Sequence, residues 1–221
     1  MQDLTLQEKF ELEVLDRLNS GKLLSSVVFG GGTMLRLCHG LNRFSADLDF
    51  WVIKSVNATR LFNDYKKLLG AKYTLVDSAD KFYTILFELR SKEYPRSLKI
   101  EIRKEKKKVS IEPAIAYSRY STTQVFLNTV SLPDMMQSKL EALISRKEIR
   151  DAFDMEYLVK RGIKVAGPKD TLNKALKTIE GFKKADYTVK LGSLLEAEER
   201  KYYAKENFKI LKREIAELCA K

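Results

Sequence analysis

Apolar residues recur along this chain in two rhythms. Between Leu4 and Leu18, Phe10, Leu12, Val14, Leu15 and Leu18 fall at helical spacing, with Gly21 just beyond. That pattern predicts an amphipathic helix. Val27, Val28 and Phe29 then form a short β-branched and aromatic run, the composition of a buried strand. Gly30, Gly31 and Gly32 follow at once. A helix beginning near Thr33 turns Met34, Leu35, Leu37 and Cys38 toward a sheet, and a second strand opens at Asp47. Asn57 to Leu69 is helical again, through Leu61, Phe62, Tyr65, Leu68 and Leu69, and Gly70 stops it.

Strand rhythm takes over at 72–76, 82–89 and 98–103. In the last of these Leu98, Ile100 and Ile102 share one face, and Lys99, Glu101 and Arg103 the other. Lys104, Lys106, Lys107 and Lys108, with Glu105 among them, read as a hairpin tip: either a solvated turn that blunts a sheet edge or a contact for phosphates. Residues 109–130 are extended and mixed, broken by Pro113, with Val125, Phe126 and Leu127 as a further strand. Ser131-Leu132-Pro133-Asp134 has the form of a helix start: a Ser cap, Pro in the first turn and an early acid. Helices are expected at 135–146 and 148–160, then a linker through Gly167-Pro168, then helices at 169–182 and 194–218. The expected organisation is α+β, with a mixed sheet flanked by helices over 1–130 and a helical region over 131–221.

The 221 residues suffice for one large domain or two small ones. No stretch approaches the roughly 18 apolar residues of a membrane span. Met1 to Thr5 lacks a basic-then-apolar leader, and the only cysteines, Cys38 and Cys219, lie far apart, so a reduced cytoplasm is expected. A net charge of +11 favours an anionic partner, RNA above all, although many lysines simply solvate helices. Near the C-terminus Lys183, Lys184, Tyr187, Lys190, Arg200, Lys201, Tyr202, Tyr203 and Lys205 interleave cations with rings. Such a surface holds single-stranded RNA, or else the tyrosines are half-buried helix residues.

The chemistry concentrates around the glycines. They let the backbone turn sharply and approach a ligand, and the following helix aims its positive end at the same place, which suits phosphate oxygens. Asp47 and Asp49 stand two apart on a strand and so project together. Two neighbouring carboxylates repel each other, and a divalent cation removes that cost; Mg²⁺ prefers carboxylate oxygens together with substrate phosphates. Glu101 is either an exposed strand acid pairing with Lys99 or Arg103, or a third member of this group. The single histidine, His39, sits before Gly40 at an expected helix end, so acid–base chemistry does not rest on histidine. Lys139, Leu143 and Arg146 share one helix face, and Arg150 and Asp154 are neighbours one turn apart. By themselves these are ordinary surface pairs, each contributing a few tenths of a kcal/mol.

The segment Gly31-Gly32-Thr33 followed by Arg43-Phe44-Ser45-Ala46-Asp47-Leu48-Asp49-Phe50 resembles the nucleotidyltransferase superfamily with a DNA polymerase β-like palm. More closely it resembles the AbiEii/AbiGii toxins of type IV toxin–antitoxin and abortive-infection systems. The later block from Lys139 through Arg150, Asp151 and Asp154 is similar to the same family. The resemblance covers about residues 25–161 and implies a metal-dependent enzyme that moves a nucleoside monophosphate from an NTP to an acceptor. It implies that Asp47, Asp49 and Glu101 hold Mg²⁺ or Mn²⁺. Gly31, Gly32 and Thr33 would meet the β- and γ-phosphates, Arg43 and Ser45 would hold phosphate or orient the acids, and Lys139 would pair with the triphosphate. Asp151 and Asp154 would position Lys139 or contact the base or ribose. By analogy the acceptor is a tRNA 3′ end and a cognate antitoxin is the partner. The other readings are the same fold acting on a protein or small molecule, and a nucleotide- or RNA-binding module without catalysis. Two positions depart from the family pattern: Thr33, where Ser is common, and Ala46, where close relatives often carry an acid.

Overall fold

Leu98, Ile100 and Ile102 are fully buried while Lys99 and Arg103 are exposed, so the alternation read from the sequence is realised in a strand with one covered face. The computed structural model describes residues 2–220. The chain runs α1 (Gln2–Ser20), β1 (Val27–Gly30), α2 (Gly31–His39), β2 (Asp47–Val52), α3 (Ala58–Gly70), β3 (Thr74–Asp80), β4 (Thr84–Arg90), β5 (Leu98–Arg103), β6 (Ile111–Ala116) and β7 (Val125–Val130). It continues with α4 (Leu132–Arg146), α5 (Ile149–Lys160), α6 (Lys169–Glu180), a π-helical turn at Asp186–Leu191, α7 (Ala197–Glu206) and α8 (Lys209–Ala220). Two compact units result: Met1–Gly40 with Phe44–Val130, and Leu41–Arg43 with Ser131–Lys221.

The first unit is a seven-stranded sheet in the order β3-β4-β5-β2-β1-β7-β6. It is mixed: β2 runs parallel to β5 and β1 parallel to β7, and the other neighbours are antiparallel. Helices α1, α2 and α3 pack on it. Leu48 and Phe50 pair in register with Ile100 and Ile102, and all four are buried. At about 25 cal/mol per Å² of apolar surface, such a face is the main stabilising term. It also fixes register, because a slip of one residue would bury Asp47 and Asp49 in place of Leu48 and Phe50.

The basic run after β5 does not cap a hairpin as expected. β6 lies at the far edge of the sheet, so residues 104–110 are a crossing connection. Pro113 does not break its strand either; it pairs with Asn128 inside β6. An edge strand tolerates proline because one side of its ladder needs no donor.

In the second unit Ser131 caps α4, accepting from the Asp134 N–H at 3.3 Å, with Pro133 in the first turn as expected. The long C-terminal helix expected over 194–218 is instead broken between α7 and α8, where Asn207 (φ 49°) and Phe208 (φ 56°) adopt left-handed backbone. The break drives Phe208 into the core against Tyr203 and Tyr187. Glu156 from α5 then accepts from the Leu211 N–H at 3.0 Å, satisfying a donor in the first turn of α8. Among the described residues no helix is long and apolar enough to cross a membrane.

Candidate active site

β1 ends at Gly30 and α2 begins at Gly31, which has φ +77°. The backbone there lies hard against Asp49: a Cβ at position 31 would stand 2.2 Å from Asp49 Oδ2. Gly31 is therefore demanded both by its left-handed backbone and by the approach of a carboxylate. Gly30 pairs in register with Asp49 across the antiparallel β1–β2 ladder. The opening of α2 and the first half of β2 thus form one corner, with the positive end of the helix beside the acids.

Asp47 and Asp49 are half-buried and share the β2 face opposite Leu48 and Phe50. In the parallel β2–β5 ladder Asp49 is the register partner of Glu101, which is also half-buried. Registered neighbours point to the same side, so Asp47, Asp49 and Glu101 belong to one sheet face. Among the described residues no three His, Cys, Asp or Glu side chains are gathered closely enough to hold a metal ion by themselves. The donor set nonetheless suits Mg²⁺ or Mn²⁺. All the donors are hard carboxylate oxygens, and Mg²⁺ characteristically takes one or two carboxylates and completes its shell with water and substrate phosphates.

Thr33 is fully buried, and its hydroxyl donates to the Asp47 carbonyl at 2.6 Å. The hydroxyl expected to meet phosphate is committed to the backbone of β2. Ser45 is half-buried in the segment leading into that strand. His39 closes α2 at the end away from Gly31, about 12 Å along the helix at 1.5 Å per residue. Burial pushes the Cys38 thiol up to about 12, so it stays protonated and inert near neutral pH.

The second unit holds a lattice of charge that is buried except at Arg146. Arg43 is 2% exposed and donates twice to Asp154, through Nε at 2.6 Å and Nη2 at 2.7 Å. Lys139 Nζ lies 2.7 Å from Asp154 Oδ2 and 3.4 Å from Asp151 Oδ1. Arg146 grips Asp151 with two bonds of 2.7 Å. Burial alone would raise the Asp154 carboxyl; the charges of Arg43 and Lys139, and their hydrogen bonds, outweigh it and hold the group below its ordinary range. The structure thus joins Arg43, from the earlier motif, to Lys139, Asp151 and Asp154 of the later block. Arg146 was visible in the sequence only as a residue on the Lys139 face.

Two further acids of the first unit carry little signal in the sequence. Glu8 is buried, bonded by Arg36 at 2.7 Å and Ser118 at 2.6 Å. Glu11, one helical turn on, is fully buried. The only hint was acids at the stripe positions of an otherwise apolar helix face. Of the two readings of the tail, an RNA-holding surface or tyrosines covered within the helices, the second describes Tyr203 and Tyr187, which are buried, while Tyr202 is substantially exposed.

A mixed sheet flanked by helices, with a glycine corner against an Asp-x-Asp strand and an acid in register on the next strand, is the arrangement expected from the resemblance to nucleotidyltransferases with a polymerase β-like palm. The chain matches the family described as nucleotidyl transferase AbiEii toxin, type IV TA system, over residues 13–217. It belongs to that family of nucleotidyltransferase toxins. Its fold is similar to that of JHP933 from Helicobacter pylori, at 21% identity and TM-score 0.56, covering 96% of this chain and 94% of that one. It is also similar to MenT4, a nucleotidyltransferase toxin from Mycobacterium tuberculosis H37Rv, at 17% identity and TM-score 0.50, covering 92% and 85%. Among curated proteins, none matches the chain.

Proposed function

We propose that this toxin transfers a nucleoside monophosphate from an NTP to the 3′ end of a tRNA, with a divalent metal, Mg²⁺ or Mn²⁺, at Asp47, Asp49 and Glu101. The observation that carries the reading is the register of Asp49 with Glu101 beside the Gly31 corner. In this reading the backbone N–H groups of Gly31 and Gly32 bind the β- and γ-phosphates at the start of α2. The acceptor hydroxyl oxygen attacks the α-phosphorus. The bond from that phosphorus to the bridging oxygen breaks, and pyrophosphate leaves with the electron pair. Glu101 accepts the hydroxyl proton. When bound, the metal supplies charge neutralisation for the phosphates and acidity to the attacking hydroxyl.

Thr33 positions Asp47 through its backbone bond. Arg43, Lys139, Asp151 and Asp154 receive a positioning role here, because their charges are committed to one another. They fix Arg43, the residue that opens the Arg-Phe-Ser-Ala-Asp-Leu-Asp segment. A cognate antitoxin is expected from the family, and the cytoplasm is the compartment in which this acceptor would be met.

The test is incubation with each labelled NTP, Mg²⁺ and total tRNA, with Asp49→Ala as control. Label entering tRNA in the wild type and not in the control supports the proposal. Label entering protein instead would assign another acceptor, and binding of NTP with no transfer to anything would sink the reading.

A further inference from the structure

We propose that the turn between β3 and β4, together with the connection after β5, forms a binding site for single-stranded RNA that leads into the acid-bearing sheet face. At the turn Phe82 and Tyr83 are 84% and 73% exposed, and their rings sit edge to face with centroids 4.6 Å apart. Two large rings left in water side by side mark a contact surface.

Two contacts place this turn. The Lys104 N–H donates to the Tyr83 carbonyl at 2.9 Å, and Lys104 Nζ bonds the Asp80 carboxylate and the Lys81 carbonyl. The rings are thereby tied to the residue that follows β5, about 10 Å along the strand from Glu101 at roughly 3.3 Å per residue. Arg103, exposed, lies two residues from Glu101 and shares its face. The second contact is Lys107 Nζ, 4.7 Å from the centroid of the Trp51 ring. Trp51 is two residues past Asp49 and the register partner of Arg103. The basic connection therefore lies against the sheet face that carries the acids.

The charge here is predominantly positive. Across residues 80–84 and 103–108 there are six cations and two acids, and one of those acids, Asp80, is already paired with Lys104. Lys81, Lys106 and Lys108 are exposed. Rings that stack on unpaired bases, among lysines that meet phosphates, are the chemistry of single-strand binding. An acidic protein partner could meet both lysines and rings, but rings set among lysines match a strand in which bases and phosphates alternate. The glycine corner and the N-terminus of α2 lie toward Asp47 and this site lies toward Trp51 and Arg103, so triphosphate and acceptor strand would reach the acids from opposite ends of β2.

Binding at this site does not depend on transfer; only its role in presenting a 3′ hydroxyl rests on the function proposed above. The probe is a fluorescein-labelled, unstructured pyrimidine RNA 12-mer, followed by anisotropy on the full chain over a range of salt concentrations. Phe82→Ala with Tyr83→Ala should weaken binding at least about tenfold with the salt slope unchanged, since stacking on even one ring is of that order. Lys106→Ala with Lys108→Ala should lower the magnitude of the slope by about 0.7 per lysine. Thermal melts matching the wild type show that the variants fold, and NTP binding should be unaltered in both. RNA affinity unchanged in the ring variant would overturn the proposal, as would loss of a bound protein partner with RNA affinity kept. Oligomer binding that depends on the rings, in an enzyme that labels no tRNA, would leave this site standing and remove the acceptor reading.

Discussion

Gly31 and Asp49 are in closer contact than any side chain at position 31 would permit: a Cβ there would fall 2.2 Å from Asp49 Oδ2 and 2.8 Å from Asp49 Cβ. Gly31→Ala must move the acid or the start of α2, and it forces alanine into φ near +77°. The left-handed backbone alone costs about 1–2 kcal/mol. A displacement near 1 Å at reacting groups costs on the order of 100-fold in rate. The expected result is a Tm lowered by a few degrees and a transfer rate lowered by about 100-fold or more, read by labelled-NTP incorporation beside a thermal melt. A variant with near-normal transfer would show that Asp49 is not held by this corner.

Thr33→Val keeps the shape and removes the bond to the Asp47 carbonyl. The site is buried, so the loss is about 1 kcal/mol of stability, and the carbonyl is left without that donor. If Thr33 serves the strand, Thr33→Ser restores stability and rate together, while the KM for NTP stays within about twofold in both variants. A large rise in KM with Thr33→Val would return the hydroxyl to the phosphate.

Asp154 contributes a pH dependence to the second unit. Its carboxyl is held below the ordinary value of 3.8, because Arg43 and Lys139 together outweigh the effect of burial. The native state therefore releases a proton that the unfolded chain still binds below that value. Stability from this group is present above pH 3.8 and is lost as pH falls through the lower folded value. Asp154→Asn leaves two buried cations short of a charge and should destabilise by about 3–5 kcal/mol at neutral pH. Denaturant titrations at stepped pH should show this part of the acid-induced loss in the wild type and not in the variant.

Much of the fold was legible because local chemistry and burial agree. The glycine corner, the alternation of β5 and the Ser131 cap each needed only a few neighbouring residues. What escaped reading depends on distant partners. Nothing local tells Lys104–Lys108 that β6 pairs with β7 at the far edge of the sheet, so a turn was expected where a crossing lies. The break at Asn207 and Phe208 is invisible in a periodic apolar pattern, because Phe208 fits the helical stripe and also fits the aromatic core that the break gives it. Arg43 reads as a phosphate ligand or a residue that orients the acids by family pattern, whereas its bonds to Asp154 span a gap in sequence that spacing does not reveal; the pairing of Lys139 with Asp151 and Asp154 is one of the two arrangements the resemblance implies.

Glu11 yields a prediction of opposite sign to Asp154. The carboxyl is fully buried in α1, and among the described residues neither oxygen has a hydrogen-bond partner. Burial, then the neighbouring carboxylates of Glu8 and Asp47, push it well above its ordinary value of 4.5, and Arg36 opposes them only in part. The native state keeps a proton that the unfolded chain releases, so stability is greatest below pH 4.5 and declines as pH rises toward the folded value. Glu11→Leu removes the unmet polar atoms at similar length and should stabilise the protein at neutral pH by about 1–3 kcal/mol. The gain should shrink as the pH is lowered to the ordinary carboxyl range, where the wild-type group is protonated in both states. Denaturant unfolding of both proteins across that range measures the difference. A gain independent of pH would trace to packing alone, and a loss at neutral pH would mean that Glu11 is ionised and held by a partner.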